Sequence, residues 1–456
     1  MEKQKVVIIG GVAAGMSAAS KIRSLNPNAE IRVFQRNDYV SYAACGTPYL
    51  IAGRVPSSNS LVAYDAPFFK EKRNIDIFLH HEVVKISPSA KTVLVRNTAT
   101  GEEREYSYDR LLIFTGARPI PPPIKGINLK GIFTLRTLED GIAIQDYIAS
   151  KSPKRGLIIG AGSIGMEMAE AFSERWLSVT MVEKMPNILG SMDNEINEVV
   201  EEELKNKKVT LIKSKAIVEF VGDDLCVKSA ILENSESINT DIVIIGTGIK
   251  PNSGLAKDAG VELGKTGAIR VNEYMQTNLP DIYSSGDCAE AYHLTLNRNV
   301  YMPLGTTANK QGRVAGENMA GGNAQFAGVV GTSVFKVFDL EVGRTGLTEK
   351  DARGEGIDYV ANVIEQSSRA NYYPGVTQIR IKLIADKETG QILGAQMVGR
   401  EGVSKRLDVF ATALSAKMTV REIANLDLSY APPFAPVYDP ILIASSELLK
   451  KFEGDR

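Results

Sequence analysis

The chain has 456 residues, 44% of them hydrophobic and 23% charged; it is too long for one ordinary core and ordinary in composition, so two or three domains of a soluble globular protein are expected. Its formal charge of -1 is spread along the sequence without a basic run able to neutralise a row of phosphates, which gives nucleic acid no support and leaves small molecules as the expected partners. Three cysteines, Cys45, Cys226 and Cys288, lie far apart and never as CxxC, a usage that suits a reducing compartment and offers no metal framework.

In chain order, the strand-like run Lys5-Val6-Val7-Ile8-Ile9 begins at once, with no charged and apolar leader ahead of it. No stretch approaches the roughly 20 apolar residues of a spanning helix, so a cytoplasmic chain without a membrane partner is expected. The strand enters Gly10-Gly11-Val12-Ala13-Ala14-Gly15, then a helix to about Leu25, then the strand Ile31-Arg32-Val33-Phe34, which ends on Gln35 and Arg36. This is a strand, glycine turn and helix able to hold a pyrophosphate, although Val12 stands at the middle glycine and Gln35 where an acid is usual.

About ten residues on comes Ser41-Tyr42-Ala43-Ala44-Cys45-Gly46-Thr47-Pro48-Tyr49, with one cysteine and no sulfur partner nearby. Leu111-Leu112-Ile113-Phe114-Thr115-Gly116 is an apolar strand ending in a glycine turn, followed by the proline run Pro119-Ile120-Pro121-Pro122-Pro123. The first pattern then repeats. Gly156-Leu157-Ile158-Ile159 leads into Gly160-Ala161-Gly162-Ser163-Ile164-Gly165, a helix to about Arg175, and the strand Val179 to Glu183. Here GxGxxG is complete, and Glu183 stands where a carboxylate accepts from both ribose hydroxyls and repels a 2′-phosphate, so NADH is the expected donor; Lys184 beside it leaves NADPH open. Two such units imply two nucleotides.

Downstream, Ile242-Val243-Ile244-Ile245-Gly246-Thr247-Gly248 is read, with Leu111 to Gly116, as support for the first unit, and Ile282-Tyr283-Ser284-Ser285-Gly286-Asp287 places a lone acid after a strand and a glycine. The order predicts an α/β fold in which a first dinucleotide domain, residues 1-118 and 249-327, is interrupted by a second, 119-248. From 328 to 456 alternating strands such as Ile379 to Leu383 and helices such as Lys405 to Lys417 predict a third, α+β domain without a nucleotide turn.

These residues closely resemble the flavoprotein disulfide reductases, and over essentially the whole chain. Ser41, Tyr42, Cys45 and Gly46 match the mark S-(F/Y/H)-x-x-C-G of the single-cysteine branch, which includes coenzyme A disulfide reductases, sulfur, polysulfide and persulfide reductases, and NADH oxidases. Dithiol members carry CxxxxC in this region; Val40 excludes that pair. The stretches Leu304-Gly305-Thr306-Thr307-Ala308-Asn309, Asn371-Tyr372-Tyr373-Pro374-Gly375 and Tyr430 to Pro440 look like the coenzyme A disulfide and sulfur reductase group.

The resemblance implies FAD on the first domain, held by Gly10, Val12, Ala13, Ala14, Gly15, Gln35, Arg36, Ser41, Thr115, Gly116, Gly286, Asp287, Leu304, Gly305, Thr306 and Ala308. NAD(P)H falls to Gly160, Gly162, Ser163, Ile164, Gly165, Glu183 and Gly248 of the second, and the third becomes the dimerisation domain of a homodimer. Coenzyme A, as bound substrate or product, would meet Ser17, Lys21, Ser41, Arg73, Asn309 and Tyr438; Ser24 and Ala44 depart from that pattern, which favours polysulfide as the alternative acceptor.

A lone cysteine is by default a small buried hydrophobe. The resemblance makes Cys45 the nucleophile that forms a mixed disulfide with a small disulfide, persulfide or polysulfide, a thiolate beside oxidised flavin, with Tyr372 and Tyr430 of a neighbouring subunit as acid-base groups. Cys226 and Cys288 are expected to be inert. Ala13 stands where peroxidases and many oxidases of the branch carry a histidine, and His80, His81 and His293 lie elsewhere, so peroxidase chemistry is disfavoured.

Overall fold

β-branched runs that end in glycine turns build the first sheet. Lys5–Ile9 pairs in parallel with Glu30–Gln35 on one side and Arg110–Ile113 on the other, and Asp76–Leu79 and Ile282–Ser284 complete five parallel strands. The structure, a computed structural model, describes residues 3–223 and 225–453. Between Ile113 and Ile282 the chain leaves this sheet and returns: Ala117–Pro119 on the way out pairs antiparallel with Ile249–Pro251 on the way back.

Inside that detour lies a second five-stranded parallel sheet, ordered Thr210–Lys213, Ser178–Glu183, Arg155–Ile159, Ile242–Ile245 and Ile132–Thr134. This corrects one expectation. The run Ile242–Ile245, read as support for the first unit, belongs to the inserted sheet, because an apolar strand buried on both faces looks the same whichever parallel sheet receives it. The third unit is an antiparallel sheet, Ser333–Val337, Leu340–Gly346, Ile392–Gly399, Gln378–Asp386 and Tyr359–Ser367, whose inner residues Ile379, Ile381 and Leu383 pack with Leu407 and Phe410 of helix Val403–Ser415 and Ile441 of helix Pro440–Glu453. The architecture is therefore α/β, with two Rossmann-like units and a C-terminal antiparallel domain.

Three contacts position the site. Helix Ala13–Leu25 lies so close to helix Gly305–Met319 that a Cβ on Gly312 would stand 2.3 Å from the Ala14 carbonyl oxygen and one on Gly316 2.6 Å from that of Ala18. Helix Thr47–Ala52, which follows Cys45, packs on helix Ser163–Glu174 of the inserted unit, where Arg175 Nε donates to the Ile51 carbonyl at 2.6 Å and Arg54 pairs with Glu170 at 2.7 Å. The inserted unit is held in turn on the C-terminal sheet: Lys382, only 2% exposed in its side chain, meets Glu195 at 2.7 Å and Asp193 at 3.4 Å, the pairing a buried cation requires.

Candidate active site

Gly10 and Gly160 open the two turns at φ 102° and 98°, in the region that favours glycine. In each turn the last glycine touches the first: a Cβ on Gly15 would stand 1.9 Å from the Gly10 carbonyl oxygen, and one on Gly165 2.2 Å from that of Gly160. The helices that follow begin at Val12 and Gly162 with no side-chain cap, and helix Gly305–Met319 begins the same way at Leu304. Their first N–H groups are left for an anionic ligand.

Gln35 Oε1 accepts from the Gly11 N–H at 2.9 Å, and Glu183 Oε2 accepts from the Ala161 N–H at 2.8 Å. Arg36 turns outward to Glu82 at 3.5 Å. Ala14, Ala308 and Phe114 form one apolar cluster with Val12 and Ala13 beside it, which brings two uncapped helix ends together. Gly286, φ 71°, lies against the Phe114 ring and donates its N–H to Gln311 Oε1 at 2.8 Å. The Asp287 carboxylate pairs with Arg136, and the buried Ser285 Oγ has no hydrogen-bond partner. Thr115 Oγ1 donates to the Asn252 carbonyl at 2.5 Å, and the Gly116 carbonyl accepts from the Asn252 N–H at 2.9 Å. Uncapped N–H groups, a carboxylate and an orphaned hydroxyl are a donor and acceptor set that fits the pyrophosphate and polyol of FAD. The second turn fits a nicotinamide dinucleotide: Gly162 and Gly248 face open space, Ser163 and Ile164 are exposed, and Glu183 ends the neighbouring strand.

The Cys45 loop is tied to the first turn through Ser41. Its φ of 49° is left-handed, a strained state for a residue with a side chain, and it is held there by its N–H on the Gly11 carbonyl and its carbonyl on the Ala63 N–H, both at 2.9 Å. Cys45 itself sits in the single turn Ala44–Gly46, braced by Thr47 Oγ1 donating to the Ala44 carbonyl at 2.7 Å. Its side chain reaches solvent, yet protein on the remaining sides excludes water; that burial pushes the thiol up, Glu167 adds to it, Arg136 opposes and Asp287 adds again. Burial, the largest effect, thus opposes ionisation of the thiol, and Arg136 is the cation that favours it. Burial and then Glu139 push Tyr42 to about 12.

On the outer side of helix Ala13–Leu25, Ser17 Oγ donates to Asn309 Oδ1 at 2.7 Å and Lys21 pairs with Glu317 at 2.9 Å. Arg73 Nη1 donates to Ser20 Oγ at 2.6 Å and lies over the rings of Tyr64, Phe68 and Phe69. The structure thus gathers Ser17, Lys21, Arg73 and Asn309, from three helices, around helix Ala13–Leu25. It does not bring Tyr372, Tyr430 or Tyr438 to the Cys45 turn of the same chain: the hydroxyls of Tyr372 and Tyr430 stand 3.5 Å apart on the C-terminal domain, where both rings and Tyr438 are exposed. A buried pair, Arg406 Nε on both Asp439 oxygens at 3.0 and 2.9 Å, anchors the end of that segment. Sequence reading missed Glu167, Arg136 and Tyr49. Glu167 follows GxGxxG by two residues, and the search for an acid stopped at the ribose position.

Two dinucleotide turns, a single thiol between them and an added C-terminal sheet define a two-nucleotide redox enzyme. Residues 4–312 match the family described as pyridine nucleotide-disulphide oxidoreductase and residues 332–440 its dimerisation domain; the chain belongs to this family of enzymes, which use FAD and NAD(P)H. It is 42% identical over 447 residues to an NAD(P)H coenzyme A polysulfide/persulfide reductase of Pyrococcus horikoshii, covering 98% of each chain. It is 38% identical over 451 residues to an NADH oxidase of Methanocaldococcus jannaschii, covering 99% of this chain and all of that one. Among solved structures, an NAD-dependent persulfide reductase from A. fulgidus matches with a TM-score of 0.96 at 41% identity, over 99% of this chain and 84% of that one. No described helix is long and apolar enough to cross a membrane.

Proposed function

We propose that the chain reduces coenzyme A disulfide and the persulfides or polysulfides of related small thiols with NAD(P)H, through Cys45. The observation that carries this reading is a lone thiol in a loop tied through Ser41 to the first glycine turn and followed by a helix, Thr47–Ala52, packed against the helix of the second. Bound FAD supplies the relay of two electrons from NAD(P)H to sulfur. Gly10 to Gly15, Asp287 and the Leu304 to Ala308 turn hold it, and Gly160 to Gly165 with Glu183 hold the donor, NADH in preference.

Cys45 Sγ attacks R–S–S–R′, forming Cys45–S–S–R and releasing R′–S⁻. Two electrons and a proton then release R–SH and restore Cys45, so that NAD(P)H + H⁺ + RSSR′ gives NAD(P)⁺ + RSH + R′SH. Ser17, Lys21, Arg73 and Asn309 favour an acceptor with a phosphorylated tail: two cations and two hydrogen-bonding side chains from three helices meet around helix Ala13–Leu25. The domain boundaries we assign are 1–118 with 249–327, 119–248 and 328–456, crossed at the paired segments Ala117–Pro119 and Ile249–Pro251. The matched dimerisation domain and its exposed Tyr372, Tyr430 and Tyr438 support a homodimer in which those tyrosines serve the other subunit's Cys45. Unpaired cysteines support a cytoplasmic location.

A second reading, NADH oxidase, is favoured by the relatives that carry that name and opposed by Ala13 in place of a histidine. Anaerobic assays with coenzyme A disulfide and with polysulfide, beside oxygen uptake in air, separate the two. We expect rapid turnover on the sulfur substrates; oxygen consumption faster than either would overturn the reductase reading. Mass spectrometry of the unreduced protein is expected to find a coenzyme A adduct on Cys45.

A further inference from the structure

Helix Ser163–Glu174 presents Glu167, Glu170 and Glu174 to the helix after Cys45, at a spacing of three and four residues that places them on one face. With Pro48, Tyr49 and Arg54 they line the narrow cleft between the inserted unit and the Cys45 loop. Two of the three are committed: Arg54 donates to both Glu170 and Glu174, and Glu170 also accepts from Lys336 and from the Phe338 N–H at 3.0 Å. Glu167 has no hydrogen bond or ion pair among the described residues, although it is half-buried and faces both Cys45 and Tyr49.

We infer that Glu167 is a positioning residue for the thiol, a carboxyl on the inserted unit whose charge decides how readily Cys45 ionises. The inference rests on the reading of Cys45 as the sulfur-exchanging residue. The ionised carboxylate opposes a neighbouring thiolate; the neutral acid leaves Arg136 facing the sulfur, with Asp287 the remaining anion. Glu167 sees Glu170 on its own helix and Cys45 and Tyr49 across the cleft, and burial followed by Glu170 brings its carboxyl to about 7. Glu167 is carried by the helix that begins at the second nucleotide turn, which gives the donor's site a direct electrostatic line to the thiol.

The test measures alkylation of Cys45 by iodoacetamide in the reduced FAD-loaded enzyme, located by peptide mass spectrometry, from about pH 5 to about pH 9. In the parent, Glu167 ionises over the same range and raises the thiol as it does so, and the profile is expected to spread beyond a one-proton curve. In Glu167→Gln the profile is expected to narrow to one proton and move down, with alkylation near neutrality about tenfold faster. Superimposable profiles would overturn the inference. Flavin content and sedimentation verify that the variant is folded; if it is not, a one-proton profile in the parent overturns the inference alone. No pH-dependent alkylation of Cys45 in either protein would remove the reading of Cys45 itself, and the inference with it.

Discussion

The two nucleotide units solve the same backbone problem with different side chains. Each turn starts on a glycine near φ 100°, each last glycine leaves no room for a Cβ against the first carbonyl, and in each a side chain at the end of the second strand accepts from the residue after the first glycine. That acceptor is a neutral amide in the first unit, Gln35, and a carboxylate in the second, Glu183. At the middle position the first unit carries Val12 and the second Gly162, which faces open space. The hydrogen-bonding geometry is common property of the fold; the charge at the strand end and the opening at the middle glycine are what can distinguish one dinucleotide from the other.

The largest expected effect comes at the junction of the units. Cys45→Ser is expected to lower disulfide and polysulfide reduction by about 10³-fold or more, since the other described thiols are Cys288, fully buried, and Cys226, on an inserted-unit strand. Stopped-flow reduction of its flavin by NADH should stay near the parent rate because neither turn is altered; disulfide turnover near the parent rate would end the single-thiol mechanism.

The units themselves are separated by matched substitutions. Gly15→Ala and Gly165→Ala introduce the same kind of backbone clash, at 1.9 and 2.2 Å, into the two turns. Gly15→Ala is expected to yield colourless protein. Gly165→Ala should stay yellow, with KM for NADH raised roughly tenfold or more. Loss of flavin from both variants would show that the turns are not independent sites. A milder pair tests the strand ends: Glu183→Gln is expected to cut kcat/KM for NADH about tenfold and to narrow the preference over NADPH, the size of one charge-assisted hydrogen bond. Gln35→Glu should leave flavin content unchanged, because the Gly11 N–H keeps its acceptor. A parent enzyme that prefers NADPH would reject the role given to Glu183.

Much of this comparison was legible in the sequence, because glycine turns, buried strands and a strand-end acid are local. The two turns, their helices and Cys45 needed no tertiary information. What the sequence hid was non-local. Ile242–Ile245 carries no mark of which sheet it joins, the Arg136 pairing with Asp287 joins the inserted unit to the first, and Lys21, expected to meet coenzyme A, is paired with Glu317. The surroundings that act on the Cys45 thiol, burial first and then Glu167 and Arg136, are assembled only by folding.

The smallest effects concern the other two cysteines, one in each unit. Cys226 opens a strand of the inserted unit and is only partly buried, so Cys226→Ser exchanges a weakly polar group for a hydroxyl that solvent can reach, and neither stability nor turnover should change measurably. Cys288 follows Asp287 in the first unit, fully buried, with Sγ 3.5 Å from the Ile113 carbonyl and 3.4 Å from that of Ser285. A serine hydroxyl finds the same carbonyls but is shorter, so it fills the site less well and gives up dispersion contacts. We expect Cys288→Ser to cost about 1 kcal/mol of stability, visible as a lower thermal midpoint, while flavin content and disulfide turnover hold. A loss of turnover in Cys288→Ser without a loss of flavin would give the first unit a second functional sulfur, and the accounting built on Cys45 alone would have to be redrawn.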